Sequence, residues 1–127
     1  MRFEHTLSVR FSDCDMYGHV NNATYLTYME CARVQLLRDI EMPLEELMGS
    51  GRFLIIVGVD IRYRGQARMG DALTVRTTPS KMGRTGGTFL QEIYRDRELL
   101  TSADVKWVCV DEAARPIRLP QKLRLLD

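Results

Sequence analysis

The side chains best suited to chemistry are concentrated in one polar stretch, Ser12-Asp13-Cys14-Asp15-Met16-Tyr17-Gly18-His19-Val20-Asn21-Asn22. Asp and Asn favour turns and helix N-caps there, because their short side chains bond nearby backbone N–H groups. Asp15 stands seven residues ahead of a helix N-terminus expected near Asn22. The unpaired N–H groups of such a terminus, with the positive end of the helix dipole, form an oxyanion site. A carboxylate beside donors aimed at a developing oxyanion is a minimal apparatus for acyl transfer. Spacing alone leaves a second use open, the N-cap, which is the commoner one for Asp and Asn before a helix.

Composition narrows the partners. The 18 Lys+Arg and 17 Asp+Glu leave a formal charge of +1, which gives no electrostatic footing for nucleic acid or a membrane surface. The longest apolar run, Phe53 to Val59, falls far short of the roughly 20 residues that span a bilayer. The N-terminus, Met1-Arg2-Phe3-Glu4-His5, lacks the apolar core of a secretory signal. Cys14, Cys31 and Cys109 are scattered and include no C-x-x-C pair, so the expectation is no disulfide framework, no metal site and a reducing cytoplasm.

The elements that must hold the polar stretch can be read from hydrophobic periodicity. A single domain over residues 1–127 is expected, with about 6,900 Å² of folded surface. His5 to Phe11 alternates weakly and reads as a first strand. From Ala23 to about Ile40 the spacing of Leu26, Met29, Ala32 and Leu36 is helical, and Ala23, Tyr25, Tyr28, Cys31 and Val34 add apolar surface elsewhere. That predicts a central helix buried on most sides. Pro43 opens a short helix, Leu44 to Met48, which Gly49 and Gly51 close. Phe53, Ile55, Val57, Val59, Ile61 and Tyr63 then occupy one face of a long strand, with Leu54, Ile56, Gly58, Asp60, Arg62 and Arg64 on the other. Further strands are expected over Ala72–Pro79, Thr85–Asp96 and Leu99–Asp111. Their connections are too short for crossover helices, so successive strands should pair antiparallel. The fold class is α+β: one long helix with a curved antiparallel sheet wrapped around it.

The run Asp15 to Tyr25, followed by Leu26 and Glu30-Cys31-Ala32-Arg33, resembles the signature of the hotdog-fold acyl-CoA thioesterases. The likeness is to the 4-hydroxybenzoyl-CoA thioesterase type and to bacterial long-chain acyl-CoA thioesterases. It continues through Tyr63-Arg64, Arg68-Met69-Gly70-Asp71, Gly83-Arg84 and Val108-Cys109-Val110-Asp111. The resemblance implies hydrolysis of an acyl-CoA or aryl-CoA thioester. Asp15 would be the catalytic carboxylate, as nucleophile or as general base, and the Asn22 backbone N–H would polarise the carbonyl. Coenzyme A enters as part of the substrate, and no separate cofactor is implied. His19 matches an essential histidine of plant acyl-carrier-protein thioesterases, whose accompanying asparagine is replaced here by Tyr17; its other reading is a histidine that bonds the loop.

The same resemblance places Tyr17, Gly18 and Tyr25 beside the substrate. It makes Arg64, Lys81, Gly83, Arg84 and Thr85 candidates for the coenzyme A phosphates, which suit arginine's bidentate geometry. Tyr25, Tyr28, Met29 and Phe53 could line an acyl pocket or simply pack the core. Asp13 reads as a loop organiser, Asn21 and Asn22 as helix caps, and Glu30 as an i,i+3 partner of Arg33. A homodimer or dimer of dimers is expected, since an isolated sheet would leave an edge and an apolar face exposed. The competing expectations are a non-catalytic acyl-CoA-binding protein, an acyl-carrier-protein thioesterase and a hotdog dehydratase; the His-Phe-Pro-type motif of the last is absent. A sensor of this fold would carry a DNA-binding segment first, whereas the first strand is expected almost at Met1.

Overall fold

The computed structural model describes residues 1–126. Strand β1 (Phe3–Ser8) leads through a short 3-10 turn (Phe11–Asp13) and the polar stretch into α1 (Thr24–Asp39) and α2 (Leu44–Gly49). Strands β2 (Phe53–Tyr63), β3 (Ala72–Met82), β4 (Gly86–Arg95) and β5 (Glu98–Val110) follow, and a short α3 (Gln121–Arg124) closes the described chain. The strands form one five-stranded sheet in the order β1-β3-β4-β5-β2, every neighbouring pair antiparallel. Tight turns join β3 to β4 and β4 to β5, as their lengths predict. The passage from β2 to β3 does not make a hairpin. Residues 64–71 cross the ends of β5 and β4 instead, about 14 Å at the usual strand spacing, which eight extended residues reach with ease. That crossing segment becomes one wall of the site.

Helix α1 buries Tyr25, Tyr28, Met29, Ala32, Leu36 and Leu37 against the sheet. The expectation that it is covered on most sides fails: Ala23, Leu26 and Cys31 are exposed and Val34 is half-buried. One sheet can cover only one face of a helix, and this face is the 3.6-period stripe through Tyr25, Met29, Ala32 and Leu36. The total accessible surface of 7646 Å² is about a tenth above the size expectation of roughly 6,900 Å². At the centre of the helix–sheet contact, the fully buried Gln91 donates from Nε2 to the Met29 carbonyl and to Thr77 Oγ1, and its Oε1 accepts from Arg33 Nη1 at 2.8 Å. Arg33 is therefore turned into the fold, and the i,i+3 ion pair with Glu30 is not formed.

The strict alternation read for β2 breaks at a bulge. Ile56 lies opposite Trp107 and Gly58 opposite Lys106, so Val57 is an extra residue. The helix-facing set becomes Leu54, Ile56, Val59, Ile61 and Tyr63, in register with the inward Cys109, Trp107, Val105, Ala103 and Thr101 of β5. The bulge thus moves Ile55 to the outer face and leaves Val57 61% exposed. Strand β1 begins earlier than expected, at Phe3, and ends at Ser8 because Phe11 enters the 3-10 turn, where it is exposed. Four-residue α3 was not foreseen; it is too short for a periodic signal, yet Leu119, Leu123 and Leu126 seal the end of the core around Trp107.

Gly86 opens β4 where the turn runs close to β5, and an added Cβ would lie 2.4 Å from the Trp107 carbonyl oxygen. Because that neighbour is backbone and cannot swing aside, Gly86→Ala is expected to cost about 1–3 kcal/mol in a urea unfolding series. An unchanged midpoint would show that the turn can give way.

Candidate active site

The polar stretch is irregular backbone, so its shape follows from where its N–H groups find acceptors. Asp15 begins a tight loop: its N–H donates to the His19 carbonyl at 2.8 Å, its carbonyl accepts from Gly18 N–H, and its carboxylate Oδ1 accepts from Tyr17 N–H at 2.9 Å. Gly18 turns the chain at φ +79°, a conformation that disfavours any side chain. Val20 N–H then donates to the Ala67 carbonyl and Asn21 N–H to the Asp13 carbonyl, which ties the loop to the crossing segment and to itself. Asn21 shapes the turn ahead of α1, its Oδ1 accepting from Ala23 N–H and its carbonyl from Thr24 N–H, while Ala23 at the N-cap itself has no side-chain cap. The Asn22 side chain takes no such part. Its backbone N–H has no hydrogen-bond partner among the described residues, while its carbonyl accepts from the Tyr63 hydroxyl at 2.7 Å.

Asp15, Tyr17, His19, Asn22 and Tyr25 line one open cleft of about 410 Å³, together with Val20, Tyr63, Gly65 and Gln66. Sequence reasoning had not placed the last four in the site. Tyr63 carried a usable signal, an aromatic at the end of a strand facing the same side as Tyr25; the rings meet edge-on at 5.6 Å. The His19 side chain makes no hydrogen bond among the described residues, and His19 ties into the loop through its own backbone. Asp13 does organise the loop: its carboxylate accepts from the buried Tyr28 hydroxyl at 2.8 Å and from Arg10 N–H. Burial, and then that carboxylate, push the Tyr28 hydroxyl well above its ordinary pKa. Burial likewise raises Tyr25, whose hydroxyl accepts from Ala67 N–H at 3.0 Å. Both tyrosines therefore stay neutral and brace the cleft floor.

The basic candidates lie elsewhere. Arg64 is exposed and falls just outside the cleft lining, its N–H held by the Leu100 carbonyl. Lys81, Gly83, Arg84 and Thr85 sit at the far end of the sheet, where Thr85 and Arg84 carbonyls accept from Cys109 and Leu119. Along β5 that end is about 23 Å from Thr101, the neighbour of Tyr63. Within one chain the two groups do not meet, because the strands are too long.

The profile of the thioesterase-like superfamily matches residues 9–125 of this chain. The acyl-CoA thioester hydrolase YbgC of Escherichia coli O6:H1 is 30% identical over 123 residues, covering 95% of this chain and 92% of that protein. The long-chain acyl-CoA thioesterase FadM of Escherichia coli K12 is 29% identical over 121 residues, covering 93% and 91%. The crystal structure of a probable thioesterase from Bartonella henselae superposes with a TM-score of 0.91 at 26% identity, over 94% of this chain and all of that one. The architecture is the hotdog fold.

The crossing segment that walls the cleft is clamped by Asp71. Its Oδ2 accepts from Arg68 N–H at 2.8 Å and from Arg95 at 2.7 Å, and Arg95 also reaches Glu98 and the Gln66 carbonyl. The Arg68 N–H first, then Arg95, hold the Asp71 carboxyl below its ordinary 3.8. A carboxyl depressed in the folded state stabilises fully above its unfolded pKa, and that share is lost as pH falls through the folded value. Asp71→Asn is therefore expected to melt a few degrees lower at pH 7, with the gap closing as the pH drops below about 3.8. A gap that persists unchanged at pH 2.5 would remove the clamp from the account.

Proposed function

The chain belongs to the thioesterase-like superfamily and is an acyl-CoA thioester hydrolase, and we propose that Asp15 and the Asn22 N–H carry out that hydrolysis. The observation that supports the assignment is their presence in one cleft, each with its working atom unused: Asp15 binds Tyr17 N–H through Oδ1 and leaves Oδ2 free, and the Asn22 N–H has no partner among the described residues. A thioester carbonyl oxygen seated on that N–H, at the start of α1, gains stabilisation as it becomes an oxyanion. The Asp15 carboxylate then works on the carbonyl carbon, by direct attack or by taking the proton of an attacking water. The carbon–sulfur bond breaks and coenzyme A leaves as a thiolate, of a thiol with a pKa of about 8.5, with little need of a dedicated acid. Where Asp15 attacks directly, water then cleaves the mixed anhydride and frees Asp15, so by either route the acid departs as carboxylate. His19, facing the same cleft, orients the substrate beside Tyr17 and Tyr25, while Gly18 lies outside the lining and turns the loop between them. The reading needs no cofactor, coenzyme A being part of the substrate, and an unpaired set of cysteines (Cys14, Cys31 and Cys109) accords with a cytoplasmic setting. No helix among the described residues is long and apolar enough to cross a membrane.

The working unit in this reading is a homodimer, alone or within a dimer of dimers. Strand β2 is an uncovered sheet edge eleven residues long, and Ile55, Ile56, Val57, Val59 and Tyr63 on it are all exposed. Such an edge is satisfied by pairing with its own copy. Antiparallel pairing of two β2 strands would reverse the partner sheet, so the partner's β3–β4 turn comes alongside this chain's cleft. Three strand spacings, about 14 Å, would then separate that turn from β2, a distance suited to an extended coenzyme A arm. This restores to the site, from the second copy, the Lys81, Gly83, Arg84 and Thr85 that one chain holds too far away.

Thiol release from a panel of acyl-CoA and aryl-CoA substrates tests both parts. Asp15→Asn is expected to lower kcat by at least about 10²-fold; a folded variant that keeps most of its activity would sink the assignment. Arg84→Ala should weaken coenzyme A binding, with the loss shrinking as salt rises, and an affinity that does not change would take Arg84 out of the site.

A further inference from the structure

Helix α1 carries an uncovered stripe beside the β2 edge. Leu26, Thr27, Glu30 and Arg33 from the helix line a shallow groove of about 220 Å³ with Ile56 and Val59 of β2. Leu26 is 40% exposed and Glu30 fully outside the core, whereas Arg33 is half-buried. Neither charged side chain makes an ion pair among the described residues. Arg33 uses one N–H on Gln91 Oε1, and its guanidinium is otherwise left without an acceptor among the described residues. Burial lowers its pKa, and Glu30, one turn back on α1, offsets that only in part. A half-buried cation and an exposed carboxylate, with no ion pair between them, thus stand side by side on an uncovered groove.

The arrangement is self-complementary. The midpoint of α1, Thr24–Asp39, falls between Glu30 and Arg33, and the midpoint of β2, Phe53–Tyr63, falls at Gly58, between the two β2 residues of the same groove. Antiparallel pairing of two β2 edges needs a two-fold axis normal to the sheet at the strand's centre. That axis keeps both helices on one face of the joined sheet and runs them antiparallel past each other. Residues three apart that straddle the helix midpoint then face each other's images. We propose that Glu30 and Arg33 form two reciprocal ion pairs with the partner subunit's Arg33 and the partner subunit's Glu30, locking the register of the homodimer. The proposal rests on the β2 pairing put forward above and adds the side chains that choose the partner.

Sedimentation velocity on charge-reversed chains tests it. The wild-type chain is expected to run as a dimer. Glu30→Arg and Arg33→Glu each place like charges opposite one another and should weaken self-association at least about 100-fold. An equimolar mixture of the two single variants should recover a tight dimer, because each heterodimer contains two opposite-charge pairs; a pairing within one chain cannot produce that rescue. A folded Glu30→Arg chain that dimerises like the wild type, or a mixture that stays monomeric, overturns the ion pairs and leaves the β2 pairing standing. A monomeric wild-type chain overturns both. Glu30→Arg leaves the Arg33–Gln91 bond intact, so with circular dichroism to confirm its fold it decides the matter even where Arg33→Glu does not fold.

Discussion

Both backbone groups of one buried residue, Ala67, are committed to the segment that carries the site. Its carbonyl accepts from Val20 N–H, and its N–H donates to the Tyr25 hydroxyl. Irregular backbone cannot satisfy itself, and an unpaired buried N–H or C=O costs about as much as a lost hydrogen bond. The loop from Asp13 to Asn22 therefore takes part of its shape from another irregular segment beside it, the crossing from β2 to β3. Without that crossing, Val20 would lack its acceptor, Tyr25 would be a buried hydroxyl without a donor, and the two walls of the cleft would have no fixed separation. The unconventional route from β2 to β3, over the ends of two strands, is what puts a backbone there at all.

A second constraint sets the helix on the sheet. Gln91 is buried completely, and it satisfies its amide through one helix carbonyl, one strand hydroxyl and one helix guanidinium. A polar group in that position is tolerated only when all of its bonds are made, which fixes α1 along its axis far more tightly than apolar contact alone. The start of α1 inherits that precision. Tyr63 adds the last tie, from the end of β2 to the Asn22 carbonyl, so the residue carrying the free N–H is held from the sheet as well as from the loop.

Much of this was legible in the residues. The helical period from Ala23 to Ile40 gave α1 to within a residue at each end, and the short turns at 83–85 and 96–97 gave two antiparallel pairs. The polar stretch pointed to an acid and to donors at the start of a helix, and Asp15 and Asn22 do line one cleft. What escaped was long-range or single-residue in origin. A bulge at Val57 leaves no mark in an unbroken apolar run, so the faces of β2 were assigned with one parity throughout. The placement of β2 beside β5 depends on a pairing between segments some fifty residues apart, which local spacing does not encode. Arg33 and Glu30 stand at the spacing of a helix pair, but the buried amide of Gln91 competes for the guanidinium and wins, being the acceptor already shielded from water. The separation of Arg84 from Asp15 follows from strand length, which only the full sheet reveals.

The bulge at Val57 also bears on how the chain survives in a crowded cell. A straight eleven-residue apolar edge is a template for any extended chain, and stacking of such edges leads to fibres. One inserted residue in mid-strand offsets the hydrogen-bonding rows on its two sides. A passing strand of arbitrary sequence can zip onto half of this edge but loses register at Val57. An irregularity that looks like a fault in the sheet thus works against the stacking of edges that leads to fibres.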